Sequence, residues 1–518
     1  MSEPEKGAGE VRVTQPGHLG LRQDQPMPAG LAIDLDPGTA QLTNDVLFGG
    51  SPARVLRLSR AGVTALAELR AGPVASPAAA VLARKLTDTG LAHPRLAVAP
   101  GPAPAPGPAP TPEPGLDVTV VVPVLDRPRE LDRCLAAAGT RFPVLVVDDG
   151  SADPAATEAI CSARGAELIR RQVNGGPGPA RNTALAKVST EFVAFLDSDC
   201  VPPPGWIEAL AGHFADPLVA AVAPRIVALS SGVAGPAGVT LDLGDRPARV
   251  APMTRVAYVP TAALLVRRSA LGGGFDETLR NGEDVDLVWR LIEAGWRVRY
   301  EPAVQVRHGE PATRAALLRR RFRYGTSAAP LTRRHPGAVA PLVLQPWPAL
   351  TVAALLARRP LTAGALFGLS TVRLGRRLRA NGLPAQGLVR PMANGVRLTW
   401  LGSGRWAGQY ALPLVISMIA CPGGRTARVR WGRRLAAASL LAGPPLAEWA
   451  GRRDTSLARL TAVTLADQAA YGAGVYAGCL RERLITPVLP TVAWQPFEGL
   501  RSRRGQPRKD QPRKASNP

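Results

Sequence analysis

Three acidic clusters and one histidine are the residues of this sequence whose types and spacing could do chemistry. Each cluster follows an apolar run or opens an apolar periodic one. They are Asp148 with Asp149, Asp197-Ser198-Asp199, Glu283 with Asp284, and His308. Carboxylates at such places can accept hydrogen bonds from a nucleotide, hold a divalent cation or take a proton from a hydroxyl.

The first cluster, Asp148 and Asp149, directly follows the buried-strand pattern PVLVV and is followed by Gly150 and Ser151. This order predicts that both carboxylates lie at the carboxyl end of a sheet, where α/β folds bind ligands. There they could accept from the imide N–H of a uracil or from ribose hydroxyls. The alternative is a turn with Asx hydrogen bonding and no ligand.

The second cluster, Asp197-Ser198-Asp199, follows the apolar strand FVAFL. Where a strand breaks into a loop, both carboxylates can converge on one cation, and Mg²⁺ or Mn²⁺ fits because a nucleotide diphosphate supplies further hard oxygen ligands. The alternative is a solvated turn. His308 follows the strand-like AVQVR and is either a third metal ligand or an ordinary histidine.

The third cluster, Glu283 and Asp284, opens the helical pattern DLVWRLIEAG. One carboxylate could deprotonate an acceptor hydroxyl, although acidic residues in a first turn also favour the helix dipole without any catalytic role. Arg181 and Asn182 lie near a helix start preceded by glycines, so they could face a diphosphate; capping and a salt bridge are the alternative.

The elements that must position these residues alternate between strand and helix after residue 117, which predicts an α/β domain with a mostly parallel sheet. The predicted strands are VTVVVPV, PVLVVDD, AELIRRQ, EFVAFLDSD and LVAAVAP, and the helices are PRELDRCLAAAG, DPAATEAICSARG, GPARNTALAKV and GWIEALAGHF.

A smaller module is predicted before this domain. Residues 1–28 are polar and aperiodic, which indicates a disordered tail, and residues 29–97 indicate a small α+β, winged-helix-like module. Ser51-Pro52 and Ser76-Pro77 each look like a helix start, and Gly90 like a stop. Residues 98–116 contain proline at nearly every second position, which predicts a polyproline linker.

The charge is divided unevenly along the 518 residues. Residues 1–310 carry 30 Lys+Arg against 34 Asp+Glu, whereas residues 311–518 carry 33 against 6, which together give the net charge of +23. The basic part contains long charge-free stretches, such as 336–357, bordered by arginines. Residues 336–500 are therefore interpreted as an apolar and basic helical region with possible membrane segments, and 501–518 as a basic disordered tail.

The cysteines and the N-terminus indicate the cellular compartment in which we expect the protein. Five widely spaced cysteines contain no CxxC pair, which indicates neither a disulfide framework nor a zinc ribbon. The N-terminus contains no apolar h-region, so no cleaved signal is predicted. We expect a catalytic part on the cytoplasmic face of the plasma membrane, held against anionic lipid, or otherwise in the cytoplasm.

Seven motifs taken in order over residues 117–310 resemble the family 2 glycosyltransferases with the GT-A fold. They are VVVPVLDR, VVDDGS, GPGPARNTAL, FLDSD, GGFDE, GEDVDLVWRLIEAGWRVRYEP and VRH. Further runs, among them LFGGSPARVLRLSRAG and RYGTSAAPLTRRHPG, look like the glycosyltransferases of mycofactocin biosynthesis and extend the match from about residue 29 to about residue 345.

The resemblance implies a GT-A domain over residues 117–335 and assigns roles to particular residues. The implied nucleotide-sugar contacts are Pro123, Val124, Asp126, Asp148, Asp149, Arg181, Asp197 and Ser198. The implied metal ligands are Asp197, Asp199 and His308, for Mg²⁺ or Mn²⁺, with Asp199 the firmer carboxylate. Asp284 is the implied base, with Glu283 second.

One motif departs from the family pattern. The QxxRW motif of processive relatives is absent, and RRRFRYG in a similar place makes Arg323 and Tyr324 candidate acceptor or diphosphate contacts.

The activity that the resemblance implies is an inverting transfer of glucose from UDP-glucose to a small peptide-derived acceptor, the mycofactocin precursor, building a β-linked oligosaccharide. The alternatives are transfer to a lipid or cell-envelope polysaccharide by the same fold, or nucleic-acid binding by the basic parts. The basic tail lacks interleaved aromatic residues that would stack on bases, so we expect no nucleic-acid partner. The N-terminal module could bind a peptide or pathway proteins.

Overall fold

The computed structural model describes residues 25–95, 115–229, 241–311, 313–422, 426–451 and 456–493. Residues 1–24 of the predicted tail 1–28, residues 98–114 of the predicted linker 98–116 and the whole predicted C-terminal tail 501–518 lie outside the described residues.

The N-terminal module consists of two small antiparallel sheets and two helices around an apolar core. Its elements are β1 (Ala32–Leu35), β2 (Ala40–Thr43), β3 (Val46–Gly49), β4 (Arg54–Arg57), α1 (Arg60–Ala71), α2 (Pro77–Asp88) and β5 (Ala92–Arg95). The α+β character agrees with the sequence analysis, and the winged-helix description stays a prediction.

One of the two predicted helix starts in this module is wrong. No helix begins at Ser51-Pro52, because the next residues form β4, which pairs in register with β3. The helix α1 begins after Ser59, whose hydroxyl accepts from the amide of Gly62. The start at Ser76-Pro77 is confirmed, with the Ser76 hydroxyl accepting from the amide of Ala79.

The catalytic part is a nine-stranded mixed sheet with helices on both faces, which confirms the α/β class. Its elements are β6 (Val118–Val124), α3 (Pro128–Ala138), β7 (Val144–Asp148), α4 (Pro154–Arg164), β8 (Glu167–Arg170), α5 (Pro177–Leu185), β9 (Phe192–Leu196), β10 (Cys200–Val201), α6 (Trp206–Ala211), β11 (Val219–Ala228), β12 (Ala248–Val250), β13 (Ala263–Arg267), α7 (Glu283–Glu293) and β14 (Arg297–His308). All five strands and four helices predicted over residues 117–228 are present.

The strand order brings the acidic clusters to one edge. Strands β9, β6, β7 and β8 are adjacent and parallel, so the carboxyl ends of β7 and β9 face the same side. Strand β14 runs antiparallel to β10, and this register pairs His308 with Cys200, next to Asp199. Residues that are distant along the chain therefore meet in one cleft.

The N-terminal module is attached to the nine-stranded sheet by two ion pairs, one of them fully buried. Arg84 of α2 donates two hydrogen bonds to Asp216, of 2.6 and 2.8 Å, and both side chains are buried. Arg297 of β14 contacts Asp88 at 2.7 Å. Two planar, bidentate contacts of this kind define one orientation of the module.

The C-terminal region is helical. Its elements are α8 (Arg314–Thr326), α9 (Ala328–Arg334), β15 (Val343–Leu344), α10 (Pro346–Leu356), α11 (Pro360–Ala380), α12 (Val389–Tyr410), α13 (Leu412–Ala420), α14 (Ala427–Gly451), α15 (Leu457–Glu482) and β16 (Thr491–Val492). The charge-free stretch 336–357 contains the short strand β15 and a helix of only 11 residues, α10. Among the described residues, every helix is too short or too polar to cross a bilayer.

Candidate functional site

The second acidic cluster lies beside His308. Nε2 of His308 is 3.4 Å from Oδ1 of Asp199, and both side chains are buried. The other carboxylate oxygen of Asp199 contacts the guanidinium of Arg127, which is half exposed. Burial opposes protonation of His308, but the carboxylates of Glu310 and Asp199 outweigh it and raise the pKa of the imidazole.

Arg181 connects the second and third acidic clusters. Its guanidinium, which is 3% exposed, donates to Oδ1 of Asp197 at 2.7 Å and to Oε1 of Glu283 at 3.0 Å. The same group lies over the ring of Phe275, 5.4 Å from its centroid. The prediction had Arg181 facing a diphosphate. The structure places it beneath the cleft, where it neutralises two carboxylates while Asp197 stays 31% exposed at the surface.

The two carboxylates that open α7 have different partners. Glu283 is buried, and this burial together with repulsion from Asp284 raises its pKa to about 7, although Arg181 opposes the shift. The pKa of Asp284 is also raised, mainly by burial. The positive charge of Arg181 opposes this rise, but no ion pair to Asp284 is formed among the described residues, and its Oδ1 accepts from the amide of Val285 at 2.8 Å. A carboxylate with a raised pKa and no direct ion pair is suited to receive a proton.

The first acidic cluster has internal partners for both carboxylates. Asp148 accepts from the amide of Ser151 at 2.9 Å and from Arg170 at 2.9 Å. Asp149 accepts from the amides of Gly175 and Gly176, at 3.1 and 2.7 Å. Gly176 has φ of +97°, a conformation that glycine adopts without strain, so this loop can wrap around the carboxylate. The uridine role predicted for these two residues stays a prediction.

The remaining predicted nucleotide contacts surround the same edge. Val124 is buried and pairs with Asp148, and Pro123 pairs with Val147 in the neighbouring strand. Asp126 is exposed, and its Oδ1 accepts from the amide of Ala152 at 2.8 Å. Ser198 is buried between the two aspartates of its cluster.

The two acceptor-side candidates on α8 differ. Arg323 is exposed. Tyr324 is partly buried, and this burial, with repulsion from Asp284 and Asp197, raises the pKa of the phenol to about 12 even though Arg320 opposes it. Tyr324 therefore belongs to the cleft.

Sequence reasoning missed an aromatic group beside Tyr324. Burial is the main cause of the raised pKa of Tyr258, with repulsion from Asp284 contributing. Arg321 lies 5.0 Å from the ring centroid of Tyr471 and contacts Asp467 at 2.6 Å. Helix α15 brings Tyr471 here because glycines let it approach α8; a Cβ on Gly474 would lie 2.0 Å from the carbonyl oxygen of Phe322. The small residues of α15 are the sequence feature that could have indicated this close helix packing.

The site's donor set fits a divalent cation. Asp199, Cys200 and His308 offer ligand atoms that all lie within 4.8 Å of one another. Burial raises the pKa of the Cys200 thiol well above its ordinary value, and its Sγ donates to the carbonyl of Ala262, so it stays protonated. A carboxylate and an imidazole remain, which suit Mn²⁺ or Mg²⁺ completed by diphosphate oxygens. Oδ1 of Asp197 is paired with Arg181, and Asp197 is not among the residues whose ligand atoms lie within 4.8 Å of one another, so its predicted role as a metal ligand stays a prediction.

The chain is similar to known glycosyltransferases. The model of Glycosyl transferase family 2 matches residues 119–271. The pre-mycofactocin glycosyltransferase of Mycobacterium tuberculosis is 38% identical over 492 residues, which cover 90% of this chain and 98% of the relative. The N-acetylglucosaminyl-diphospho-decaprenol L-rhamnosyltransferase of the same organism is 32% identical over 236 residues, 37% of this chain and 76% of the relative.

Solved structures are more distant. The mannosyltransferase PcManGT from Pyrobaculum calidifontis, in complex with GDP-Man and Mn²⁺, is 18% identical, with a TM-score of 0.35 over 69% of this chain and 92% of that one. A likeness at this level carries no argument about ligands.

Proposed function

The chain belongs to Glycosyl transferase family 2 and is a nucleotide-sugar glycosyltransferase, and from this premise we propose that it transfers glucose from UDP-glucose to the peptide-derived mycofactocin precursor. The proposal rests on the likeness to the pre-mycofactocin glycosyltransferase over nearly the whole length of both chains.

The observation that carries the mechanism is the difference between Glu283 and Asp284. Arg181 forms an ion pair with Glu283, whereas Asp284 forms none among the described residues and keeps a raised pKa although the charge of Arg181 opposes the rise. In our proposal Asp284 takes the proton of the acceptor hydroxyl. The hydroxyl oxygen attacks the anomeric carbon from the face opposite the diphosphate, the bond from that carbon to the phosphate oxygen breaks, and UDP leaves with inversion to a β-linkage.

The other residues position the reacting groups. Arg181 holds Asp197 and Glu283 in place from beneath, so the floor of the cleft does not repel an anionic donor. Asp199 and His308 would hold Mg²⁺ or Mn²⁺, which when bound supplies a positive charge that stabilises the leaving diphosphate. Tyr258, Tyr324 and Tyr471 form the acceptor side, where flat aromatic faces can pack against a sugar ring or an aromatic aglycone.

A second candidate keeps the same chemistry with a lipid acceptor. The observation that favours it is the basic and apolar C-terminal region, together with the likeness of 37% of the chain to an N-acetylglucosaminyl-diphospho-decaprenol L-rhamnosyltransferase. Both candidates use the same donor cleft, so only the acceptor distinguishes them.

The deciding experiment offers the purified full chain radiolabelled UDP-glucose with Mn²⁺ or Mg²⁺. One arm contains the peptide-derived mycofactocin precursor and the other a cell lipid extract; GDP-glucose is the donor control. We expect label in the small polar product only. Label confined to the lipid fraction would support the second candidate, and transfer from GDP-glucose alone would contradict the donor assignment.

A further inference from the structure

Helix α14 presents an apolar stripe to the outside of the C-terminal region. We call this set the α14 stripe: Trp431, Leu435, Ala438, Ala442 and Leu446, which follow one another at helical spacing. Trp431 is 61% exposed and Leu435 is 59% exposed. The opposite face of the helix packs against the rest of the C-terminal region, where Ala437 is fully buried against α12 and α13.

The α14 stripe continues into an apolar groove between α12 and α14. This groove has a volume of about 470 Å³, and its lining includes Trp400 and Leu401 from α12 and Leu446 from α14. Leu398 of α12 is also exposed and extends this apolar surface. A continuous exposed apolar surface of this kind indicates a binding site for another molecule or for a membrane.

The charge around the α14 stripe indicates what that occupant is. Residues 346–451 contain 14 arginines and a single acidic residue, Glu448. The helix begins with ARVRWGRR, and the guanidinium of Arg434 lies 5.7 Å from the ring of Trp431. An apolar partner protein with a neutral surface would gain nothing from this excess of positive charge, whereas anionic lipid offers both an apolar interior and negative headgroups.

We propose that the α14 stripe docks onto an anionic lipid surface, with α14 lying in the plane of the headgroups. Trp431 and Leu435 enter the boundary with the acyl chains, while Arg428 and Arg434 contact lipid phosphates. This geometry needs no spanning helix, in keeping with the lengths of the described helices. Docking in this way would hold the catalytic cleft beside the membrane, in agreement with the location expected from the sequence, the cytoplasmic face of the plasma membrane.

The test is flotation of the full-length protein with vesicles of phosphatidylcholine, with and without phosphatidylglycerol. We expect the protein to float only with the anionic vesicles, and less so as salt is raised. Trp431→Ser and Leu435→Ser, each exposed and each made singly, should reduce the floating fraction by about tenfold, in line with the area they bury. Val81→Ser, which removes an apolar residue 57% exposed on α2, is the matched control and should float as the native protein does.

Each variant is first compared with the native chain by its thermal unfolding midpoint and by sugar transfer to a soluble acceptor, both of which should be unchanged. Absence of flotation of the native protein with anionic vesicles overturns the proposal. So does flotation that is equal in the Trp431→Ser and native chains. A lipid-free native dimer that Leu435→Ser converts to a monomer would identify the α14 stripe as an interface between copies and equally overturn it.

Discussion

Nη1 of Arg181 lies 3.0 Å from Oε1 of Glu283, although 102 residues separate them in sequence. Both side chains are buried, so this ion pair joins helix α5 to the start of α7. Because Glu283 is held, its neighbour Asp284 is the carboxylate left for proton transfer.

Arg181→Lys should slow transfer by about 10²-fold, because an ammonium cannot donate to Asp197 and Glu283 in the geometry of the guanidinium fork. Steady-state kinetics with UDP-glucose measures it. Arg164→Lys is the control, since that arginine forms an exposed pair with Asp132 away from the cleft. Equal rates in native and Arg181→Lys proteins would contradict the positioning role.

Asp284→Asn should reduce transfer by about 10²–10⁴-fold with donor binding nearly unchanged, because the amide cannot accept the proton. Calorimetry with UDP measures binding separately from turnover. Asp286→Asn is the contrast on the same helix. Asp286 is buried and pairs with the buried His335 and with Arg290 and Arg334, which are partly exposed, so Asp286→Asn should lower the free energy of unfolding by about 1–3 kcal/mol. Retained transfer by Asp284→Asn would remove its assignment as base.

Sugar transfer should require a divalent cation, and binding of that cation should depend on Asp199 and His308. Chelation should abolish transfer, and Mn²⁺ or Mg²⁺ should restore it. Asp199→Ala and His308→Ala should each weaken the cation-dependent binding of UDP seen by calorimetry, because each removes one of the two ligands that face each other at 3.4 Å. Asp132→Ala, an exposed aspartate, should titrate as the native protein does. Unchanged titration of both site variants would exclude this pair as the metal site.

Glu283 should make stability depend on pH. Its folded pKa of about 7 lies above its ordinary value of 4.5, so the folded state binds the proton more tightly than the unfolded state does. The free energy of unfolding therefore falls as pH rises from about 4.5 to about 7, and Glu283→Gln should lack that part of the slope. Urea unfolding at several pH values measures this. A slope that is identical in both proteins would show that Glu283 ionises at its ordinary pKa.

Arg84→Met should destabilise the whole chain, since it leaves Asp216 buried without its partner. The expected loss is about 3–5 kcal/mol in the free energy of unfolding. Arg95→Met breaks an exposed pair with Asp34 in the same module and should cost at most about 1 kcal/mol. Equal losses in the two variants, by chemical denaturation, would mean that the module is not held by the buried pair.

The sequence by itself determined the local elements and the chemical inventory of the site. Apolar runs ending in DDGS and LDSD predict strands followed by carboxylates, and the periodic segment after Glu283 predicts a helix, because these patterns depend only on neighbouring residues. The wrong helix start at Ser51-Pro52 shows the limit of that reasoning. Ser-Pro fits a helix start locally, but the pairing of β4 with β3 is a tertiary interaction and outweighs it.

Only the tertiary structure decided which charges meet. The register of β10 with β14 places His308 beside Asp199, and the packing of α5 beneath the sheet edge directs Arg181 to Glu283 rather than outward. Tyr471 joins the cleft through the close approach of α15 to α8. The pKa values of Glu283 and Asp284 follow from burial in this assembled cleft. Such contacts depend on sequence separations of about one hundred residues or more, and no local pattern encodes them.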